Sequence, residues 1–127
     1  MKIYIAGHAN YAESVFNILK FFKENLEDVD FMIFDNTYEE RLEKFIRDNE
    51  GEELIVVTDL LGGSVNACAM NLLKKYRFKL FSGVNIAFLL ELIFSNDTSE
   101  EHLRMILEES RKENVFVNDL LNRKEND

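Results

Sequence analysis

His8 is the side chain of this sequence best placed to act as a nucleophile. It stands in Gly7-His8-Ala9-Asn10, directly after a short apolar segment and directly before a helical pattern. Asp59 occupies a similar junction, at the end of the apolar run Leu54-Ile55-Val56-Val57-Thr58. If the two junctions meet in space, the carboxylate can accept a hydrogen bond from one imidazole nitrogen and leave the other as an exposed nucleophile. Such a carboxylate fixes the tautomer and stabilises the cation left after attack. Helix N-termini nearby would offer N–H groups and positive dipole ends to phosphoryl oxygens.

Each residue also has a plainer reading. A turn histidine that caps the next helix or meets solvent is as good an account of His8 as a nucleophile, and Asp59 after a strand is at least as commonly a cap. Paired glycines such as Gly62-Gly63 often only permit a tight turn. The constellation carries more than its members. His102 opens an amphipathic helical pattern and reads as exposed or locally bonded, and Cys68 reads as a small buried helix residue rather than a nucleophile. The 2 histidines and 1 cysteine are too far apart for a zinc-ligand spacing, and neither a dinucleotide-binding nor a phosphate-loop glycine motif is present. No metal and no cofactor is expected.

Composition narrows the class of partner. Against 15 Lys and Arg stand 24 Asp and Glu, a net charge of -9, which opposes binding to a phosphate backbone, so nucleic acid is not an expected partner. The acidic residues are scattered over helical stretches and read as a solvated face. One cysteine allows no internal disulfide, and no apolar stretch approaches the roughly 20 residues that span a bilayer. A cytoplasmic protein that works at membranes only through partners fits these features.

The elements that must position His8 and Asp59 follow from periodicity. Residues 2–6 read as a strand, and Val15, Ile18, Leu19, Phe22 and Leu26 then recur at helical spacing. Residues 29–34 form a second apolar run, and Thr37 with Glu40 makes a capping-box pattern for a helix to about residue 49. Residues 54–58, continuously apolar and β-branched, suit a central strand covered on both faces. Ser64 reads as the N-cap of a helix over about 65–76. Residues 78–81 read as a fourth strand, 86–94 as a fourth helix, and Thr98 with Glu101 as the cap of a fifth. Residues 115–117 read as a late strand, and the polar tail 122–127 as a frayed end. At 127 residues one domain, 1–121, is the expectation. Repeated β-then-α units predict a doubly wound α/β fold, four central strands in a mostly parallel sheet with helices on both faces. Ligands bind such sheets beyond the strand carboxyl ends, where His8, Asp59, Ser64 and Asn85 all fall.

Three motifs, Ile3-Tyr4-Ile5-Ala6-Gly7-His8, Asp59-Leu60-Leu61-Gly62-Gly63-Ser64-Val65-Asn66 and Gly83-Val84-Asn85-Ile86, occur in an order that resembles the mannose-family IIA proteins of the bacterial phosphoenolpyruvate-dependent sugar phosphotransferase system. The resemblance covers nearly the whole chain. It implies that His8 receives a phosphoryl group from phospho-HPr and passes it to a IIB subunit or domain, which serves a membrane IIC/IID permease. It implies that Asp59 orients His8, that Ser64, Gly63 and neighbouring N–H groups face the phosphoryl oxygens, and that Asn85 has a supporting phosphoryl-binding role. It also implies a homodimer in which a C-terminal antiparallel strand, residues 115–117 here, is exchanged. Ala9 stands where many relatives have glycine, and the shorter Gly62-Gly63-Ser64-Val65-Asn66 stands where many read Gly-Gly-Ser-Pro-x-Asn. Competing readings are a phosphocarrier serving a dihydroxyacetone kinase, a non-catalytic anion- or nucleotide-binding regulatory module, and a receiver domain phosphorylated on Asp59. The last lacks the acidic pair in its first strand that would hold magnesium.

Overall fold

Burial at every position from Leu54 to Thr58 makes this segment the central strand, β3 (Leu54–Thr58). Its neighbour on one side is β1 (Lys2–Ala6), followed outward by β2 (Val29–Phe31), and on the other side β4 (Lys79–Ser82). The computed structural model describes the backbone of residues 1–126 and the side chains of residues 1–122. All four strands are parallel, in the order β2-β1-β3-β4, as expected for a doubly wound sheet. The helices are α1 (Tyr11–Phe22), α2 (Tyr38–Asp48), α3 (Ser64–Leu72), α4 (Ile86–Phe94), α5 (Glu100–Arg111) and α6 (Val117–Asn126).

Strand alternation divides the apolar residues between two layers. Ile3, Ile5, Ile55 and Val57 pack with Ala12, Val15 and Leu19 of α1, Phe88, Leu89 and Leu92 of α4, and Leu103 and Ile106 of α5. Tyr4, Ala6, Leu54 and Val56 face the other way, onto Leu42 and Ile46 of α2 and Val65, Ala69 and Leu72 of α3. The chain leaves β1 toward β2 and leaves β3 toward β4, so the order reverses between the two central strands. Their register pairs Ile3 with Ile55 and Ala6 with Thr58. The strands thus end level, and the loops that follow them, at His8 and Asp59, lie side by side at the switch point.

Several local expectations are corrected. α1 ends at Phe22 because Lys23 turns extended, so Leu26 lies beyond the helix, while Ile18 and Phe22 are exposed rather than part of the buried stripe. Thr37 precedes α2 but gives no side-chain cap, since the Asp35 carboxylate takes both its N–H (2.8 Å) and its hydroxyl (2.6 Å) in a local turn. Gly63, not Ser64, is the N-cap of α3, and Ser99, not Thr98, caps α5 by accepting the His102 N–H. Residues 115–117 form no strand. Val115 and Phe116 are irregular, and Val117 opens α6. A strand persists only where a ladder partner satisfies its backbone groups, and no pairing of this segment occurs among the described residues. The tail expected to fray continues α6 to Asn126, and Asp127 lies outside the described residues.

Candidate functional site

His8 is held from three sides. Asp59 Oδ2 accepts the backbone N–H of His8 and faces Nδ1, each at 2.9 Å. The Ser64 hydroxyl lies 2.7 Å from Nε2. The Phe34 ring sits against the imidazole with centroids 5.4 Å apart. Because a carboxylate only accepts, Nδ1 carries the proton, and Nε2 accepts from the Ser64 O–H. The bare lone pair therefore points at the N-terminus of α3, away from Asp59.

The loops achieve this through close approach of backbone. A Cβ at Gly7 would fall 2.5 Å from Tyr11 Cδ1 and 3.0 Å from Asp59 Cγ, so only glycine lets the β1 loop run beneath the tyrosine ring and beside the carboxylate. A Cβ at Gly63 would lie 3.3 Å from His8 Cε1. Ala9, at φ 49, takes the left-handed conformation that lets Tyr11 N–H reach the His8 carbonyl at 3.0 Å.

Charge at the site is set by Asp59. Burial opposes its ionisation, but the His8 N–H, the His8 imidazole and the Leu60 N–H together hold the carboxyl below its usual range. Burial and then the Asp59 carboxylate push the Tyr11 hydroxyl up. Opposite this carboxylate, α3 presents unpaired donors. Its first intrahelical hydrogen bond runs from Ala67 N–H to the Gly63 carbonyl at 2.8 Å, which leaves the N–H groups of Ser64, Val65 and Asn66 without helical acceptors. A negatively charged group bonded to Nε2 would meet these donors and the positive end of the helix dipole.

His8, Asp59, Ser64 and Gly63 are thus brought together. Asn85 is committed elsewhere: its Oδ1 caps α4 by accepting Phe88 N–H at 2.9 Å, and its Nδ2 donates to the Ser110 carbonyl and to Asn114 Oδ1, both at 2.7 Å. Its side chain makes no contact with His8 among the described hydrogen bonds. His102 bonds Ser95 Oγ at 2.9 Å in the α4–α5 connection, and Cys68 is half-buried in α3, its thiol pushed up by burial and then by Glu39 and Glu43. No cluster of three or more His, Cys, Asp or Glu suited to a metal ion occurs among the described residues. Sequence reasoning missed Phe34 as a site residue, although its place just past β2, at a strand carboxyl end, was the available signal.

Residues 2–110 match the family model of the PTS system fructose IIA component, EIIA-man. Among solved structures, the fold is shared with a protein of Klebsiella pneumoniae subsp. pneumoniae MGH 78578 reported as a phosphoenolpyruvate-dependent sugar phosphotransferase system permease, at a TM-score of 0.84 and 22% identity over 94% of this chain and 93% of that one. The PTS IIA protein associated with the fucose utilization operon of Streptococcus pneumoniae is 26% identical, with a TM-score of 0.77 over 94% of this chain and 95% of that one. The phosphotransferase system component EIIA of Streptococcus agalactiae is 25% identical, with a TM-score of 0.75 over 91% and 95%. No curated protein sequence matches the chain.

Proposed function

The chain belongs to the PTS system fructose IIA component family, and from that premise we propose that His8 carries the phosphoryl group. As a IIA component it is a phosphoryl-carrier subunit and a phosphotransferase of the mannose-family system, a class that works with HPr and IIB components. The observation that carries the proposal is the placement of the His8 imidazole between Asp59 Oδ2 and Ser64 Oγ, with Nε2 directed at the free N–H groups of α3.

In this reading Ser64 turns aside and Nε2 attacks the phosphorus of phospho-HPr in line. The N–P bond to the HPr histidine breaks as the Nε2–P bond forms, and the released imidazole keeps the electron pair. Asp59 holds the Nδ1 proton and offsets the charge that develops on the His8 ring. Ser64 and the N–H groups at the start of α3 bind the phosphoryl oxygens, and Gly63 leaves room for them beside Cε1. Asn85 supports the site from a distance by holding the β4–α4 loop. The protein supplies position and electrostatics, which is most of what phosphoryl transfer requires. Passage to a IIB component reverses the step, and the IIC/IID permease is reached only through it. No helix among the described residues is long and apolar enough to cross a membrane, and we place the protein on the cytoplasmic side, where phospho-HPr is made.

The same reading includes a homodimer. β4 is an edge strand, a groove of about 720 Å³ lined by Met70, Leu73, Phe78 and Leu107 runs beside it, and Val115, Phe116, Val117, Leu120 and Leu121 are all exposed. A second copy's C-terminal segment supplies apolar side chains to such a groove and backbone partners to such an edge.

The test is incubation with phosphoenolpyruvate, enzyme I and HPr. An acid-labile phosphoryl group is expected on the wild type and not on His8→Ala. A His8→Ala protein that still labels to the same extent would place the phosphoryl group elsewhere.

A further inference from the structure

Asn66 and Thr58 are a buried polar pair, 1% and 0% exposed, and neither hydrogen-bonds His8 among the described residues. Asn66 Nδ2 donates to Thr58 Oγ1 at 2.8 Å, and Asn66 Oδ1 accepts the Gly62 N–H at 2.9 Å. The amide thus ties the last residue of β3 to the loop that leads into α3. Gly62 stands at φ +83, a conformation in which the chain has no side chain to anchor it. The Asn66 bond, the Gly63 N–H to the Leu60 carbonyl (3.0 Å) and the Leu60 N–H to Asp59 Oδ1 (2.9 Å) set the course of this loop, and only the first ties it to α3. The next two residues are Gly63, which passes against His8 Cε1, and Ser64, whose hydroxyl reaches Nε2 at 2.7 Å.

We infer that Asn66 is a positioning residue for phosphoryl transfer: through Thr58 and Gly62 it holds the N-terminus of α3 at the distance from His8 Nε2 that the reaction needs. The inference rests on the His8 reading above. The physical reason is that buried amides are fixed by the cost of leaving either end unpaired, whereas a glycine loop alone is free to shift. A shift of about 1 Å at a reacting centre costs on the order of 10²-fold in rate. Asn66 is the third residue of α3, so its side chain reaches back past the N-cap much as a capping-box glutamate does. Here it reaches the residue before the cap and leaves its own backbone N–H free for an anion.

The experiment measures steady-state phosphoryl flux from phospho-HPr through Asn66→Ala, Thr58→Val, Thr58→Ser and the wild type to a IIB component, with thermal midpoints for each. Ile106→Val, in α5 and buried on the opposite face of the sheet from α3, reports the effect of lost stability alone. The ¹⁵N shift of His8 Nε2 reports its hydrogen bond to Ser64 directly. Asn66→Ala and Thr58→Val are expected to lower kcat roughly 10- to 10²-fold, with KM for phospho-HPr within about twofold and the Nε2 shift moved toward that of a free imidazole nitrogen. Thr58→Ser, which keeps the acceptor, retains the wild-type kcat and shift. Wild-type kcat in Thr58→Val and in a folded Asn66→Ala would overturn the inference, as would an equal loss of kcat in Ile106→Val. If Asn66→Ala does not fold, the Thr58→Val and Thr58→Ser pair decides alone. A wild-type protein that accepts no phosphoryl group refutes the His8 reading itself, an outcome distinct from all of these.

Discussion

Asp59 Oδ2 takes two hydrogen bonds from one residue, the backbone N–H and the Nδ1 side of His8, both at 2.9 Å. One carboxylate oxygen therefore locks both the loop and the ring of His8. Its other oxygen accepts Leu60 N–H at 2.9 Å, so Asp59 has no freedom to follow a moving imidazole. Asp59→Ala frees the ring and removes the charge opposite it. Transfer from phospho-HPr is expected to slow by roughly 10² to 10⁴, measured as the initial rate of labelling. A rate equal to that of the wild type would remove Asp59 from the mechanism.

Acid stability reads the same contact. The folded-state pKa of Asp59 lies below its ordinary value of 3.8, so its contribution to stability is present above that value and is lost as pH falls through the folded pKa. Thermal midpoints of the wild type should fall more between about pH 5 and about pH 3 than those of Asp59→Asn. Parallel curves for the two proteins would show that the contact adds nothing to folding.

Ser64 separates function from stability, because Gly63 rather than Ser64 caps α3. Ser64→Ala removes the hydroxyl on Nε2 but no helix cap, so stability should change by no more than about 0.5 kcal/mol. The transfer rate should fall by roughly 10- to 10²-fold, somewhat less than for the loss of an oxyanion donor in an acyl-transfer site. A clear drop in midpoint with an unchanged rate would mean that the hydroxyl is structural.

Ala9 is the one non-glycine residue with positive φ among those described. An L side chain in this region costs about 1 to 2 kcal/mol, part of which glycine gives back through its freer unfolded chain. Ala9→Gly is expected to gain about 0.5 kcal/mol in a denaturant titration, with the His8 labelling rate retained. A loss of stability would show that the Ala9 methyl makes a contact worth more than the strain.

The proposed homodimer is tested by ending the chain at Asn114, which removes the exposed Val115, Phe116, Val117, Leu120 and Leu121. Sedimentation should give a dimer for the whole chain and a monomer for the shortened one. A monomer in both would discard the dimer and leave the His8 chemistry standing.

Sequence periodicity by itself determined most of the frame. The strands Lys2–Ala6 and Leu54–Thr58 and the helix Ile86–Phe94 were legible to the residue, because each is a mostly apolar run that stops at a polar or glycine position and its burial follows from local pattern. It also placed His8 and Asp59 at strand ends. What only the tertiary structure decided is everything that depends on distance across the chain. His8 and Asp59 are 51 residues apart, and they meet because β1 and β3 pair in level register, a choice made by the packing of two helix layers. Caps were decided by the nearest free partner: Asp35 takes the donors of Thr37, and His8 takes the hydroxyl of Ser64. Asn85 carries the same strand-end signature as Ser64, yet its amide is claimed by Ser110 and Asn114 on a helix end that no local pattern brings near. The apolar residues 115–117 have strand character but no strand, since among the described residues they pair with neither edge of the sheet, β2 or β4, and no ladder satisfies their backbone groups.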